Sequence, residues 1–260
     1  MTQPFTDVSD QRFAWPQPPT WLRQIAGAIA ANPELAFERL GADGIKQLEL
    51  DIAAEYEQLE DARCEVSAYY WLTTHTKTEN KHHEKQNLPF KAPLPKKSYL
   101  KMLFKYLQDI KNWSVPRFFI PKSREMITSL SVLGYCAHAS QYRKAESIVQ
   151  CDSEDKAKEL VHHAVVNYEE QPAWLRKLHP LKRRPNDMEI EWMDGGRLIG
   201  IPSGEHKIRL YHPTIYVLDE AAFQPGAEGC YNYALPVAQE IIVVSSAGPG
   251  WFGGQCARPA

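Results

Sequence analysis

IYVLDEAA, residues 215–222, sets an unbroken apolar run directly against two adjacent acids, Asp219 and Glu220. A run without polar alternation is what a strand covered on both faces requires, so the chain should hold a buried, mainly parallel sheet. Ligands of such sheets sit at the carboxyl ends of the strands. A carboxylate buried there is unfavourable by several kcal/mol unless a cation or hydrogen bonds compensate. In a nucleotide site Asp219 would hold magnesium, and Glu220 would polarise a water for attack on the γ-phosphate. The competing reading is an exposed turn whose two acids open a helix at Ala221, because acids favour helix N-termini.

Working outward, three further runs have the same character: Arg117–Pro121, Ser147–Cys151 and Ile241–Ser245. A helix capped by Asp152 or Ser153 follows the second, with Ala157, Leu160, Val161, Ala164, Val165 and Tyr168 on one face. Strand and helix alternate, which implies right-handed crossovers and an α/β fold. Between the second and third runs, MEIEW and RLIGI flank Asp194-Gly195-Gly196 and read as an inserted hairpin.

Two other strand ends carry chemistry. After Ile120 comes PKSREMITS, residues 121–129, leading into a helical run. Strand, short loop and helix present backbone N–H groups and a helix dipole to phosphate. The loop departs from G-x-x-x-x-G-K-[ST]: both glycines are missing, and Ile127-Thr128 stands where Gly-Lys is expected. It still supplies Lys122, Arg124 and the hydroxyl of Ser129, and read alone it is equally a structural loop. After Val244 comes Ser245-Ser246-Ala247-Gly248-Pro249-Gly250, where hydroxyls and glycines would sense a γ-phosphate or simply form a turn.

Upstream, residues 1–62 read as a flexible lead followed by a small helical module, with Asn32-Pro33-Glu34 as a helix start. Residues 63–98 read as an exposed connector, and 99–260 as the α/β domain. The connector's His75, His82, His83 and Glu84 lack the fixed geometry of a metal site. Arg176, Lys177, His179, Lys182, Arg183 and Arg184 form a dense positive run, either a solvated loop or a phosphate-backbone contact.

Composition adds bounds. The 260 residues carry 30 Lys+Arg against 32 Asp+Glu, a formal charge of −2, so no overall nucleic-acid footprint exists. Five scattered cysteines without C-x-x-C argue against a disulfide framework or zinc site and for a reducing cytoplasm. Neither a signal peptide nor a membrane span is legible.

The series PKSREMITS, YVLDEAAF and IIVVSSAGPGWF resembles the deviant Walker A, Walker B and coupling motifs of tailed-phage terminase large subunits, the motors that package viral DNA. AYYWLTTHTKT, PRFFIPKSRE, SIVQCDSEDKAKELV, QPAWLRK and GEHKIRLYHPT extend the likeness over residues 68–254. The resemblance implies a P-loop NTPase of RecA-like type, with an additional strand and a catalytic glutamate. It implies ATP and Mg²⁺ as ligands, with Lys122, Ser123, Arg124, Thr128 and Ser129 around the phosphates. Ser129 and Asp219 would hold the metal, Glu220 and Arg124 would be catalytic, and Ser245 and Ser246 would begin the coupling motif. Many relatives have Gln where Glu125 stands.

The implied partners are double-stranded DNA, a portal protein, a small terminase subunit and further copies in a homo-oligomeric ring. The implied location is the bacterial host cytoplasm, transiently docked at the procapsid portal. Relatives continue into a metal-dependent nuclease domain, whereas only fourteen residues follow Ser246, so an ATPase half without nuclease activity is expected. The alternatives are a non-hydrolysing nucleotide-binding or assembly remnant and a helicase-like translocase.

Overall fold

The computed structural model describes residues 15–79, 89–123, 127–248 and 250–257. They fall into two units, one ending at Ser67 and one beginning at Ala68. The first unit contains α1 (Thr20–Ala31) and α2 (Pro33–Val66). Asn32 starts α2 as its sequence suggests: its side-chain oxygen accepts the Leu35 N–H at 3.2 Å, and Pro33 sits at the first helical position. Gly41, at φ 64°, breaks the helical path within α2.

The second unit opens with α3 (Ala68–Thr74), the short pair β1 (Thr78–Glu79) and β2 (Lys91–Ala92), and α4 (Ser98–Asp109). Then follow β3 (Arg117–Lys122), α5 (Thr128–Arg143), β4 (Glu146–Cys151), α6 (Glu154–Glu169) and α7 (Ala173–Leu178). The chain continues through β5 (Glu189–Glu191), β6 (Arg197–Pro202), β7 (Ile215–Asp219), α8 (Ala227–Ala234), β8 (Glu240–Ser246) and α9 (Trp251–Cys256). Six strands make one sheet in the order β3-β8-β7-β4-β6-β5, parallel throughout except for the antiparallel edge strand β5.

Apolar burial on both faces explains the unbroken runs. Ile148, Tyr216, Leu218, Ile241 and Val243 pack with Ala227, Cys230 and Ala234 of α8, while the alternate residues Val149, Val217, Ile242 and Val244 are equally buried. Each such aliphatic side chain contributes ~1.5–3 kcal/mol by leaving water. Helix α6 approaches β6 so closely that a Cβ on Gly200 would stand 2.9 Å from the Ala157 carbonyl oxygen. Among the described residues no helix is long and apolar enough to cross a membrane, and all five cysteines are free thiols.

Two expectations need correction. The hairpin is no insertion: its second strand, β6, pairs in parallel with β4 and so belongs to the main sheet. The stretch 63–98 is not a plain connector, since α2 runs to Val66 and α3 buries Trp71 and Leu72. Leu72 packs so tightly on α5 that a Cβ at Gly134 would lie 2.6 Å from its Cδ1. Of the histidines there, His75 stacks edge-on with Tyr70 and Trp174, while His82, His83 and Glu84 lie outside the described residues. The basic run keeps both of its readings, with part of it paired locally: Lys182 meets Glu191 at 2.8 Å, and Arg183 pairs with Glu189 and Glu191.

One buried polar cluster ties helix to sheet at the start of β8. Glu240, 2% exposed, receives the Arg143 guanidinium at 2.5 Å and the Tyr135 hydroxyl at 3.0 Å, and Arg143 also donates to Tyr135 at 2.8 Å. Removing one member leaves a buried charge or donor uncompensated. Glu240→Ala should lower unfolding free energy by about 3 kcal/mol in urea titrations; a loss below about 1 kcal/mol would contradict this packing.

Candidate active site

The sheet order brings three strand ends together. In register, Lys122 at the end of β3 stands beside Ser246 of β8, and Asp219 at the end of β7 stands beside Val244. The strand carrying Ser245 and Ser246 therefore lies between the strand carrying Lys122 and the one carrying the acids.

Two pairs of side chains span the gap. Lys122 Nζ meets Glu220 Oε1 at 2.5 Å, and the Ser246 N–H donates to Glu220 Oε2 at 3.3 Å. Ser129, one residue into α5, donates its hydroxyl to Asp219 Oδ1 at 2.7 Å. Ser245 accepts the Ala222 N–H at 3.0 Å, which links the end of β8 to the turn after the acids.

That turn excludes the competing reading of the acids. No helix opens at Ala221, because α8 begins only at Ala227, and Asp219 is just 9% exposed. Glu220 has φ 52°, a left-handed conformation unusual for a residue with a side chain. The turn is held by Ala221 N–H on Val244 O at 3.1 Å and by Phe223 N–H on Glu220 O at 2.9 Å.

Local strain recurs at the start of α5. Ile127, standing where a Walker loop has glycine, adopts φ 57° at the helix N-cap. For a β-branched residue this is unfavourable by ~1–2 kcal/mol. Its carbonyl accepts both the N–H of Ser131 at 3.0 Å and its hydroxyl at 2.8 Å, which holds the first turn in place. The sixteen-residue α5 directs its N-terminal dipole toward the strand ends. Thr128 is buried as its first residue, Ser123 is exposed after β3, and Arg124 lies outside the described residues.

Environment drives the two adjacent acids apart. Burial raises the Asp219 pKa above its ordinary 3.8, only partly countered by the Ser129 hydroxyl and the charge of Lys122. For Glu220 burial also pushes upward, but the Lys122 hydrogen bond, the Ser246 N–H and nearby positive charge outweigh it and hold the carboxyl below 4.5. Adjacent carboxyls with opposed shifts are a mark of divided chemical roles.

The donor set suits a hard cation. Asp219 and Ser129 offer oxygen ligands side by side, and a divalent cation would relieve the cost of ionising a buried carboxylate. Among the described residues no three His, Cys, Asp or Glu groups cluster as a protein-only metal centre. The pair could hold a hard divalent cation such as Mg²⁺ only with further oxygen ligands from outside the protein.

Sequence reasoning missed two contributors. Lys156, near the start of α6, pairs with Asp152 at 2.8 Å and places positive charge near Glu220. Gln224 donates to the carbonyl oxygens of Asp219 and Gln150. Neither matches a motif; only their positions just beyond strand ends could have marked them.

The topology and the grouped strand ends define an α/β fold of P-loop, RecA-like type with an additional strand between the phosphate-loop and acid strands. No family model and no curated protein matches the sequence. Among solved structures, the large terminase of bacteriophage HK97 is similar at a TM-score of 0.52 and 10% identity, over 71% of this chain and 38% of that one. The ATPase domain of the Thermus phage P74-26 large terminase gives a TM-score of 0.39, and an arginine mutant of it gives 0.42. Both share 13% identity with this chain over 68% of its length, covering 72% and 73% of theirs. Over the matched part the chain thus shares its fold with a portion of the HK97 large terminase, and it spans 38% of that protein's length.

The raised Asp219 pKa has a definite sign. A carboxyl whose folded pKa exceeds its unfolded value loses stability as pH rises through the folded value. Asp219→Asn keeps the acceptor for Ser129 and removes the buried charge. In EDTA, the stability of Asp219→Asn relative to the parent should increase from pH 4 to pH 8. A constant margin in urea unfolding at the two pH values would contradict the assignment.

Proposed function

We propose that this chain is an ATP hydrolase, the motor ATPase domain of a terminase large subunit that drives double-stranded DNA into a procapsid. The observation that carries the reading is the convergence of Lys122–Glu220 and Ser129–Asp219 at one end of a parallel sheet. The HK97 likeness supports the fold in which that convergence occurs.

In this mechanism the phosphates of ATP replace Glu220 as the partner of Lys122. The backbone at the start of α5, with Ser123, Arg124 and Thr128, cradles them. Ser129 and Asp219 would hold Mg²⁺, whose charge would offset that of the phosphates. Released from Lys122, Glu220 keeps its hydrogen bond from Ser246, orients the attacking water and accepts its proton. The water oxygen bonds to the γ-phosphorus as the bond to the bridging β–γ oxygen breaks, giving ADP and inorganic phosphate. Arg124 stabilises the transferring group. Loss of phosphate lets Glu220 return to Lys122, and Ser246 and Ser245 transmit that return to the loop after β8.

The DNA, a portal protein, a small terminase subunit and a ring of further copies are the proposed partners. The proposed setting is the bacterial host cytoplasm at the procapsid portal. With Mg²⁺-ATP the parent chain should release phosphate, and Glu220→Gln should reduce the rate about 100-fold or more while retaining nucleotide binding. Colorimetric phosphate assay and a fluorescent ATP analogue measure the two quantities. Equal phosphate release by both proteins would refute Glu220 as the base.

A further inference from the structure

The left-handed turn at Glu220 is made without glycine, so something outside the turn must hold it. Gln224 lies four residues on and is 6% exposed. Its side-chain Nε2 donates to the Asp219 carbonyl oxygen, immediately before Glu220, and to the Gln150 carbonyl oxygen on β4 at 3.2 Å. Both contacts are carbonyl oxygens, so only the amide nitrogen can face them. Its Oε1 is buried without a hydrogen-bond partner among the described residues. A residue kept for packing alone would be apolar here, because an unsatisfied amide oxygen is unfavourable. The β4 anchor is itself secured: the Gln150 side chain accepts the Tyr216 hydroxyl and donates to Gly204 O at 3.4 Å.

We infer that Gln224 is a positioning residue: by clamping the Asp219 carbonyl to β4, it fixes the turn that carries the Glu220 carboxylate across β8 to Lys122 and Ser246. The inference rests on the reading of Glu220 as the base for ATP hydrolysis. Among the described residues, Lys122 from β3, Lys156 from α6 and the neighbouring Asp219 are the charged groups around that carboxylate. Gln224 touches none of the reacting atoms and acts through the backbone.

Gln224→Met keeps the length of the side chain and removes both donors; Gln224→Leu also removes them and serves if the first variant does not fold. In nucleotide-free protein, hydrogen exchange of the Ser246 amide, which donates to Glu220, should accelerate at least fivefold, with the Val217 amide unchanged. In steady-state ATP hydrolysis, kcat should fall more than tenfold with KM for ATP within threefold of the parent. Unchanged Ser246 exchange, or a kcat within twofold of the parent, overturns the role. If the parent chain releases no phosphate, the hydrolase reading fails instead, and the exchange measurement alone decides whether Gln224 positions Glu220.

Discussion

Placing two carboxylates at the end of a strand buried on both faces is the constraint from which the site follows. Neither acid can simply be solvated: Asp219 is nearly enclosed, and Glu220 is only partly open to water. The fold answers each differently. Asp219 receives a neutral hydroxyl, which leaves its ionisation unfavourable and suited to a cation. Glu220 receives a full positive charge and a backbone N–H, which keeps it ionised. In the proposed mechanism the side chains that satisfy the acids here are also those a nucleoside triphosphate would engage, which would make the site a latch.

Strand order makes that arrangement available. Lys122 and Glu220 are 98 positions apart in the chain, and Ser129 and Asp219 are 90 apart. Parallel strands with helical crossovers put their carboxyl ends on one edge, so residues from three distant segments meet without any long irregular loop. The additional strand β8 stands between the strand of the lysine and the strand of the acids. Its two serines thereby contact the Glu220 carboxylate and the Ala222 N–H. In the proposed mechanism a change at the phosphates would reach the segment after β8 through these two hydrogen bonds.

The strands were legible because burial on both faces leaves a continuous apolar signature, as at Ile215–Leu218 and Ile241–Val244. Polar residues closing those runs marked Lys122, Asp219, Glu220, Ser245 and Ser246. The role of β6 was not legible: a hairpin signal says two strands pair, but not that one of them also pairs in parallel with a third. Ile127 weakened the match of residues 121–129 to a phosphate loop, since a non-glycine in left-handed conformation cannot be recognised from residue type. Gln224 and Lys156 were invisible for another reason, because their contacts depend on which strand lies next to which. Tyr69-Tyr70-Trp71-Leu72 was apolar enough to announce burial, but the charged stretch that follows it masked the helix within.

The central claim is that nucleotide phosphates and Glu220 compete for Lys122. A crystal structure with Mg²⁺ and a non-hydrolysable ATP analogue tests it most directly. The account predicts Lys122 Nζ on β- or γ-phosphate oxygens, the cation between Ser129 and Asp219, and the Glu220 carboxylate turned toward a water in line with the γ-phosphorus. An intact Lys122–Glu220 ion pair at saturating analogue, with nucleotide bound elsewhere or not at all, would contradict it.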